Sequence, residues 1–522
     1  MMPITADKAR SFAVIGLLVV GAFLRFYQLD QYPLGVHQDE LSNIYDGYSL
    51  SETGADRFGD MHPMIVRGFG ENDYRPALYA WMAAVPQRFT GFSVAAGRLP
   101  SAILGTFSLF LIYGFARRMA GKDYAFFALL FGALSPLHAQ LSRVAHEGGS
   151  LTGFFVILIL YLWQRSAAKE FRPAELVLLG LATGLSANVY QATRLTAALF
   201  AFLIILDILH NSPRRLRALT YFSAAALLTA LPQAVVLLRD PQRFAARARV
   251  LSIPTDNPVT YVAAFLHNYW LNLAPYYLFL PRPLHGLTVV RLNPVEIVFF
   301  YVGLFGLAFV VRSSRFRFYV YAAMAIVLLP AALTTGNPAT MRTSGMAVLT
   351  PLFSAAGVIL LGSLLRSERL RRKIYYPATV AAVVLFFAAM TYRYSRSEYF
   401  RELSFQKIAV DMARKAGEYQ SGYDAIFVQH YVSEPYIYIA AFAPISPSEF
   451  QRMPKNLYST GMDMFTRLGK YYFVWESTMP RTVDAYRNRP GRFLFISPTR
   501  LAGLTATDSV SFRDQKLYFQ TY

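Results

Sequence analysis

What most constrains this chain is the recurrence of apolar runs long enough to cross a membrane. Spanning roughly 30 Å of hydrocarbon at about 1.5 Å of rise per residue takes about 20 residues. Runs of that kind fall near 11–29, 97–116, 123–139, 149–164, 174–190, 195–210, 218–238, 294–311, 318–334, 344–364 and 374–391. A polytopic α-helical membrane protein of about eleven spans is therefore predicted. Composition agrees, since the 522 residues are 55% hydrophobic and only 16% charged. Lys8 and Arg10 precede the first run as in a secretory signal, but no small-residue cleavage site follows, so it reads as a retained anchor.

Lysine and arginine cluster in every second connection. The clusters are Arg117, Arg118 and Lys122; Arg165, Lys169 and Arg172; Arg214, Arg215 and Arg217; Arg312, Arg315 and Arg317; and Arg366 through Lys373. Cytoplasmic loops carry this excess, so the N-terminus is expected inside. The loops 30–96, 140–148, 239–293 and 335–343, and everything after about 392, are then outside. These clusters account for most of the net charge of +20, and nucleic acid is not an expected partner. With no cysteine in the chain, structural disulfides and thiolate metal sites are excluded. There is no tandem repeat, low-complexity tract or Walker-type phosphate loop.

The outer loops break the charge rule. The first carries Arg57, Arg67, Arg75, Arg88 and Arg98, and the loop after the seventh span carries Arg239, Arg243, Arg247, Arg249, Arg282 and Arg291. Long loops translocate largely regardless of charge, so plain solvated surface is one reading. Acids in the same compartment suggest another, a site where guanidinium forks hold phosphate while a carboxylate takes a proton. Glycosyl transfer from a lipid-linked phosphosugar needs both. Its leaving group is a phosphate whose growing charge arginines can stabilise.

The first outer loop reads "HQDELSNIYDGYSLSETGADRFGDMHP", with Asp39-Glu40, Thr53-Gly54, Asp56, Gly59 and Pro63. It continues as "YRPALYAW", Tyr74 to Trp81, and Arg98 to Ser101 then open the second span. The second outer loop is "SPLHAQLSRVAHEGGSLTGFF", and later outer ends read "VYQATR" and "GNPATMRTSGMAVLTPLF". Over roughly residues 10 to 390 this pattern resembles the GT-C superfamily of glycosyltransferases. Within it, the likeness is to the group of protein O-mannosyltransferases and bacterial aminoarabinose transferases. Two positions depart from that group: Tyr74 stands where a histidine is usual and Ala77 where a second proline is usual.

The resemblance implies a GT-C fold, a polyprenyl-phosphate-linked sugar as donor, and a bacterial inner or plasma membrane as the location. It implies that Asp39 faces the acceptor, with Glu40 and Glu147 as further acids of the site. It places Arg75, Arg143 and Arg342 toward the donor phosphate, with Arg243 of the loop 239–293 as a further candidate for that phosphate, and Tyr74, His62 and Tyr190 toward substrate. Each has a plainer reading: Asp39 as a helix N-cap, Glu40 as an arginine's structural partner, Glu147 as the start of the fourth span, and Arg75 as a partner of Glu71 or Asp73. Adjacent carboxylates on a helix point about 100° apart, so Asp39 and Glu40 are not expected to share one proton. No cofactor is expected. His37, Asp39, Glu40, His62, His146 and Glu147 nevertheless have the chemistry to gather around a divalent cation.

In the loop 239–293, "RDPQRFAARARVLSI" suits an amphipathic helix at the headgroups, and the aromatic stretch after it suits an interfacial belt. From 393 to 522 the composition turns polar. The runs "DAIFVQ", "YYFVW", "RFLFIS" and "KLYFQTY" alternate with "FQKIAVDMARKAGEY" and "EPYIYIAAF", which predicts a small extracytoplasmic α/β domain after a transmembrane domain of residues 1–392. The function expected is an inverting glycosyltransferase with a carboxylate base that acts on a lipid or cell-envelope glycan. The alternatives are a protein O-mannosyltransferase-like enzyme and, in another class, a lipid or solute transporter. A transporter would concentrate ionisable groups near mid-membrane, whereas here they concentrate in outer loops.

Overall fold

The structure is a computed structural model that describes residues 6–70, 73–279, 292–395, 406–431, 434–443, 445–453, 456–459, 463–512 and 514–522. Its contacts fall into two compact units. One comprises Met1–Tyr27 and Arg98–Tyr399, the other Gln28–Gly97 and Phe400–Tyr522. We call them the helical unit and the mixed unit.

Eight helices among the described residues are long and apolar enough to cross a membrane: Lys8–Phe26, Val94–Ala133, Ser150–Ala168, Gln191–Asn211, Arg215–Arg239, Ser314–Ala332, Met346–Ser363 and Glu368–Tyr392. The difference from about eleven has a local cause. The expected spans 97–116 and 123–139 lie on one 40-residue helix, broken where Ala120 leaves helical geometry and Gly121 takes φ 87°, a value that favours glycine. The runs at 174–190 and 294–311 form shorter apolar helices, Pro173–Ser186 of 14 residues and Glu296–Val310 of 15.

Lipid tails are as apolar as leucine, so helices in a bilayer associate through close packing and hydrogen bonds rather than through escape from water. Small residues supply the packing. Gly180 and Gly184, one turn apart on Pro173–Ser186, bring the backbone of Phe222 and Ala226 so near that a Cβ on either glycine would collide with it. Gly303 and Gly357 do the same between Glu296–Val310 and Met346–Ser363. Asn188 ties the first pair further by donating to the Thr229 carbonyl at 2.8 Å.

In the mixed unit, the helix Gln38–Thr53 packs on Leu78–Thr90, where Gly47 lies against Ala83 and Gln87 donates to the Ile44 carbonyl at 2.9 Å. Two short strands, β1 (Ile65–Arg67) and β2 (Tyr74–Pro76), pair antiparallel with Val66 opposite Arg75. Seven more strands form one sheet: β3 (Ala425–Gln429), β4 (Asn456–Ser459), β5 (Asp463–Leu468), β6 (Tyr471–Val474), β7 (Phe493–Ser497), β8 (Thr505–Phe512) and β9 (Gln515–Thr521). Their order is β4-β5-β6-β3-β7-β9-β8, with β3 parallel to β6 and β7 and the other pairs antiparallel. All five residues of β3 are buried, as a central parallel strand covered on both faces requires.

The four β-rich runs read from the sequence correspond to β3, β6, β7 and β9, and the two helical runs to Lys407–Tyr419 and Pro435–Phe442. The segment 28–97 is bonded into this unit. Tyr438 donates to the Val36 carbonyl at 2.9 Å, and the Gln451 amide donates to the Ser49 and Thr53 hydroxyls and the Asp56 carbonyl, each at 2.9 Å.

Candidate functional site

The residues expected to carry chemistry divide between the units: Asp39, Glu40, His62, Tyr74 and Arg75 in the mixed unit, and Arg143, Glu147, Tyr190, Arg243 and Arg342 in the helical unit. In the mixed unit, the helix Gln38–Thr53 is capped by His37, whose Nδ1 accepts the Asp39 N–H at 3.1 Å. Asp39 is thus released from the capping task. It sits with Glu40 in the first turn, where unsatisfied N–H groups and the helix dipole favour carboxylates.

Asp39 keeps 34% of its side chain exposed, and Arg75 holds it from below. One guanidinium nitrogen lies 3.4 Å from Asp39 Oδ1 and the other 3.4 Å from the Asp39 carbonyl. Arg75 itself is only 4% exposed, also faces Asp73 at 3.7 Å, and stands over the Phe69 ring. Glu40 is buried near Tyr438. Burial pushes that hydroxyl well above its usual range, and the Glu40 and Asp39 carboxylates add to the shift. Tyr74 is half-buried in β2 opposite Arg67. His62 is exposed and stacks parallel to Trp81, whose indole N–H donates to the Pro63 carbonyl.

The Thr-Gly-x-Asp-x-x-Gly element builds the scaffold behind this corner. Gly54, at φ 73°, ends the helix and donates to the Leu50 carbonyl. Asp56 then accepts the Phe58 and Asp60 N–H groups at 2.9 and 3.0 Å, which folds the turn. The turn places the buried Arg57 guanidinium on Asp46, with further bonds to the Arg67 and Gly68 carbonyls at 2.8 and 2.7 Å. Burial pushes the Asp46 carboxyl up to about 7 against the pull of Arg57. Asp46 and Arg57 had no assigned role in the sequence reading. The available signal was spacing, because Asp46 lies two turns beyond Asp39 on the same side of the helix.

In the helical unit, Arg143 donates to the Leu24 and Tyr27 carbonyls, both at 2.6 Å, and so caps the C-terminal end of the first helix with a cation. Glu147 is buried beside His146 at 3.6 Å, and the His146 ring meets Tyr190 edge-on at 6.2 Å. Gly148 lies against the same tyrosine ring. Tyr190 precedes the helix Gln191–Asn211, and Thr193 Oγ1 accepts its N–H.

Arg342 bonds the Thr334 hydroxyl and, at 2.7 Å, the Thr335 carbonyl. Burial lowers its pKa and the like charge of Arg247 lowers it further, while Tyr190 and Tyr277 oppose the shift. Arg247, exposed on the helix Pro241–Leu251, is therefore a second guanidinium whose charge acts on Arg342. Arg243, on the exposed helix Pro241–Leu251, pairs with its own cap residue Asp240 at 3.1 Å. Arg282 and Arg291 lie outside the described residues. Among the described residues, no three His, Asp or Glu side chains group as a metal ion would require.

Residues 74–237 match a protein family described as dolichyl-phosphate-mannose-protein mannosyltransferase. Over 170 residues the chain is 32% identical to the lipopolysaccharide core galacturonosyltransferase RgtA of Rhizobium johnstonii, a stretch covering 32% of each protein. The chain therefore matches about a third of that relative's length. Among solved structures, apo ArnT from Cupriavidus metallidurans aligns with TM-score 0.60 over 98% of both chains at 11% identity. The same protein bound to undecaprenyl phosphate aligns with TM-score 0.57 over 97% of both chains at 12% identity.

Proposed function

We propose that this chain, an integral membrane protein of the GT-C fold whose residues 74–237 match the mannosyltransferase family, moves a sugar from a polyprenyl-phosphate donor to a lipid or cell-envelope glycan on the outer face of the membrane. One observation carries the reading. Asp39 is a carboxylate one-third open at a helix N-terminus, steadied by a nearly buried arginine, in the loop whose motif resembles that of the superfamily. The undecaprenyl phosphate bound to ArnT supports the donor class, and the glycan acceptor named for RgtA supports the acceptor class.

In this reading Asp39 takes the proton from the acceptor hydroxyl as that oxygen bonds to the anomeric carbon. The bond from that carbon to the phosphate oxygen breaks, and polyprenyl phosphate leaves as an anion. A single displacement inverts the anomeric configuration. Arg75 acts as a positioning residue that fixes the Asp39 carboxylate. We propose Arg342 as the phosphate ligand, on its partial burial and its bond to the Thr335 carbonyl, with Arg247 as a second cation whose charge acts on it. No step is assigned to a metal.

The purified protein, supplied with an undecaprenyl-phosphate sugar and a glycolipid acceptor, is expected to give a product of inverted anomeric configuration by NMR, and Asp39→Asn is expected to slow its formation about 100- to 10,000-fold. A retained configuration would refute the single displacement. The name of the matched family favours a second reading, with a protein hydroxyl as acceptor. Mass spectrometry of the product separates the two. The outer-face assignment is tested in this cysteine-free chain by single cysteines at Ser51, Ser421 and Ser166. An impermeant thiol reagent on intact cells should label the first two and spare the third, and a cytoplasmic position 51 would end the outer-face reading.

A further inference from the structure

Three parallel strands of the mixed unit lie in the spatial order β6-β3-β7. The chain leaving β3 runs out to β4 and β5 on one side before it returns beside β3 as β6, and the chain leaving β6 crosses to the other side as β7. In parallel sheets such a reversal opens a crevice beyond the carboxyl ends of the strands, where ligands bind. The residue directly after β3 is His430 and the residue directly after β6 is Trp475. Their rings stack at 4.4 Å with 20° between planes, and the His430 N–H donates to the Val474 carbonyl at 2.8 Å. Phe473 backs the imidazole at 6.2 Å.

Trp475 is 41% exposed. An indole left in water and fixed by a stacked partner is a rigid shelf with low entropy cost on binding. Neither the indole N–H nor either imidazole nitrogen has a hydrogen-bond partner among the described residues. Burial lowers the His430 pKa, so at neutral pH the ring offers one donor and one acceptor. An apolar plate flanked by a donor, a second donor and an acceptor matches a pyranose, which has a C–H face and a rim of hydroxyls.

We propose that the carboxyl ends of β3 and β6 form a carbohydrate subsite, in which a pyranose ring lies on the open face of Trp475 and its hydroxyls bond to the indole N–H and to His430. That this sugar belongs to the acceptor rests on the transferase reading given above; the subsite itself does not.

The test uses the full chain in a sugar-free detergent, with methyl glucoside, methyl galactoside and methyl galacturonoside as probes. Saturation-transfer NMR should show transfer to sugar ring protons, reduced at least about fivefold in Trp475→Ala and largely kept in Trp475→Phe, since stacking needs an aromatic face. His430→Ala should weaken it too. Thermal unfolding of each variant checks that the exposed substitution leaves the fold intact. No transfer from the wild type to any probe, or transfer indifferent to Trp475→Ala, overturns the subsite. If transfer depends on Trp475 while the protein moves no sugar from an undecaprenyl-phosphate donor, the subsite stands and the transferase reading falls. If both hold, Trp475→Ala should raise the acceptor KM and leave the donor KM unchanged.

Discussion

Two of the aspartate–arginine pairs described in the segment 28–97, Asp46–Arg57 and Asp39–Arg75, differ in almost everything except composition. Asp46 and Arg57 are both fully buried, in direct contact, and surrounded by backbone carbonyls and the Phe58 and Phe69 rings. Asp39 and Arg75 stand at 3.4 Å with the carboxylate one-third open. The buried pair ties the helix Gln38–Thr53 to the turn after it but is closed to substrate. An open carboxylate backed by a buried guanidinium is in contact with water and keeps a fixed direction. The difference in burial separates the pair that builds the loop from the pair suited to proton transfer.

The sharpest way to break that comparison is to remove one carboxylate at a time. Asp39→Asn preserves size and removes the base, so kcat should fall about 100- to 10,000-fold with unchanged unfolding temperature. If Asp39→Asn instead lowered stability and spared turnover, the two pairs would have exchanged roles. Arg57→Ala should behave in the opposite way. It strands a buried carboxylate, which costs about 3–5 kcal/mol, so the protein should lose thermal stability or fail to accumulate in the membrane. A stable, active Arg57→Ala variant would show that the buried pair holds nothing.

Arg75 sharpens the comparison, because positioning and phosphate binding predict different kinetics. If Arg75 only orients Asp39, Arg75→Lys should lower kcat about tenfold and leave the donor KM alone, since a point charge replaces a planar fork at the same place. A rise in donor KM with unchanged kcat would instead return Arg75 to the phosphate. The sequence reading had Arg75 on that phosphate. Its 4% exposure and its two carboxylate neighbours are what shift the weight.

How much was legible beforehand follows from what each signal reports. Hydropathy reports helices, so most long apolar helices were found. It cannot report a break at Ala120-Gly121, where the apolar pattern continues while the backbone turns. In the sheet, β3 and β7 announce themselves by buried apolar runs. The edge strand β8, "TATDSVSF", has no buried residue and carries no such signal. Motif spacing located the Asp-Glu helix start and the Thr-Gly-x-Asp turn, but spacing cannot tell which carboxylate is buried. That is why the sequence pattern gives Asp46 and Arg57 no role, and why the bonds of Arg143 to the end of the first helix cannot be read from it. Arg247 was read only as one of a row of outer arginines. That its charge acts on Arg342 follows from the tertiary structure.

The smallest effect concerns Arg243, which the sequence reading placed with the phosphate ligands. Its side chain is 53% exposed, and one of its partners is Asp240, three residues earlier on the same helix end. Exposed pairs of this kind contribute about 0–1 kcal/mol, because water screens both charges and two mobile side chains must be held still. Arg243→Ala should therefore change stability by less than about 0.5 kcal/mol and the donor KM by less than about twofold. Arg247→Ala, one turn further along and acting by its charge on Arg342, should raise the donor KM about tenfold if the two guanidiniums hold the phosphate. Measured side by side in the same membranes, the two substitutions remove the same charge from the same helix and differ only in what lies next to it. Equal effects would mean that the helix acts through its overall positive charge at the headgroups, and the assignment of Arg247 and Arg342 to one phosphate would then be withdrawn.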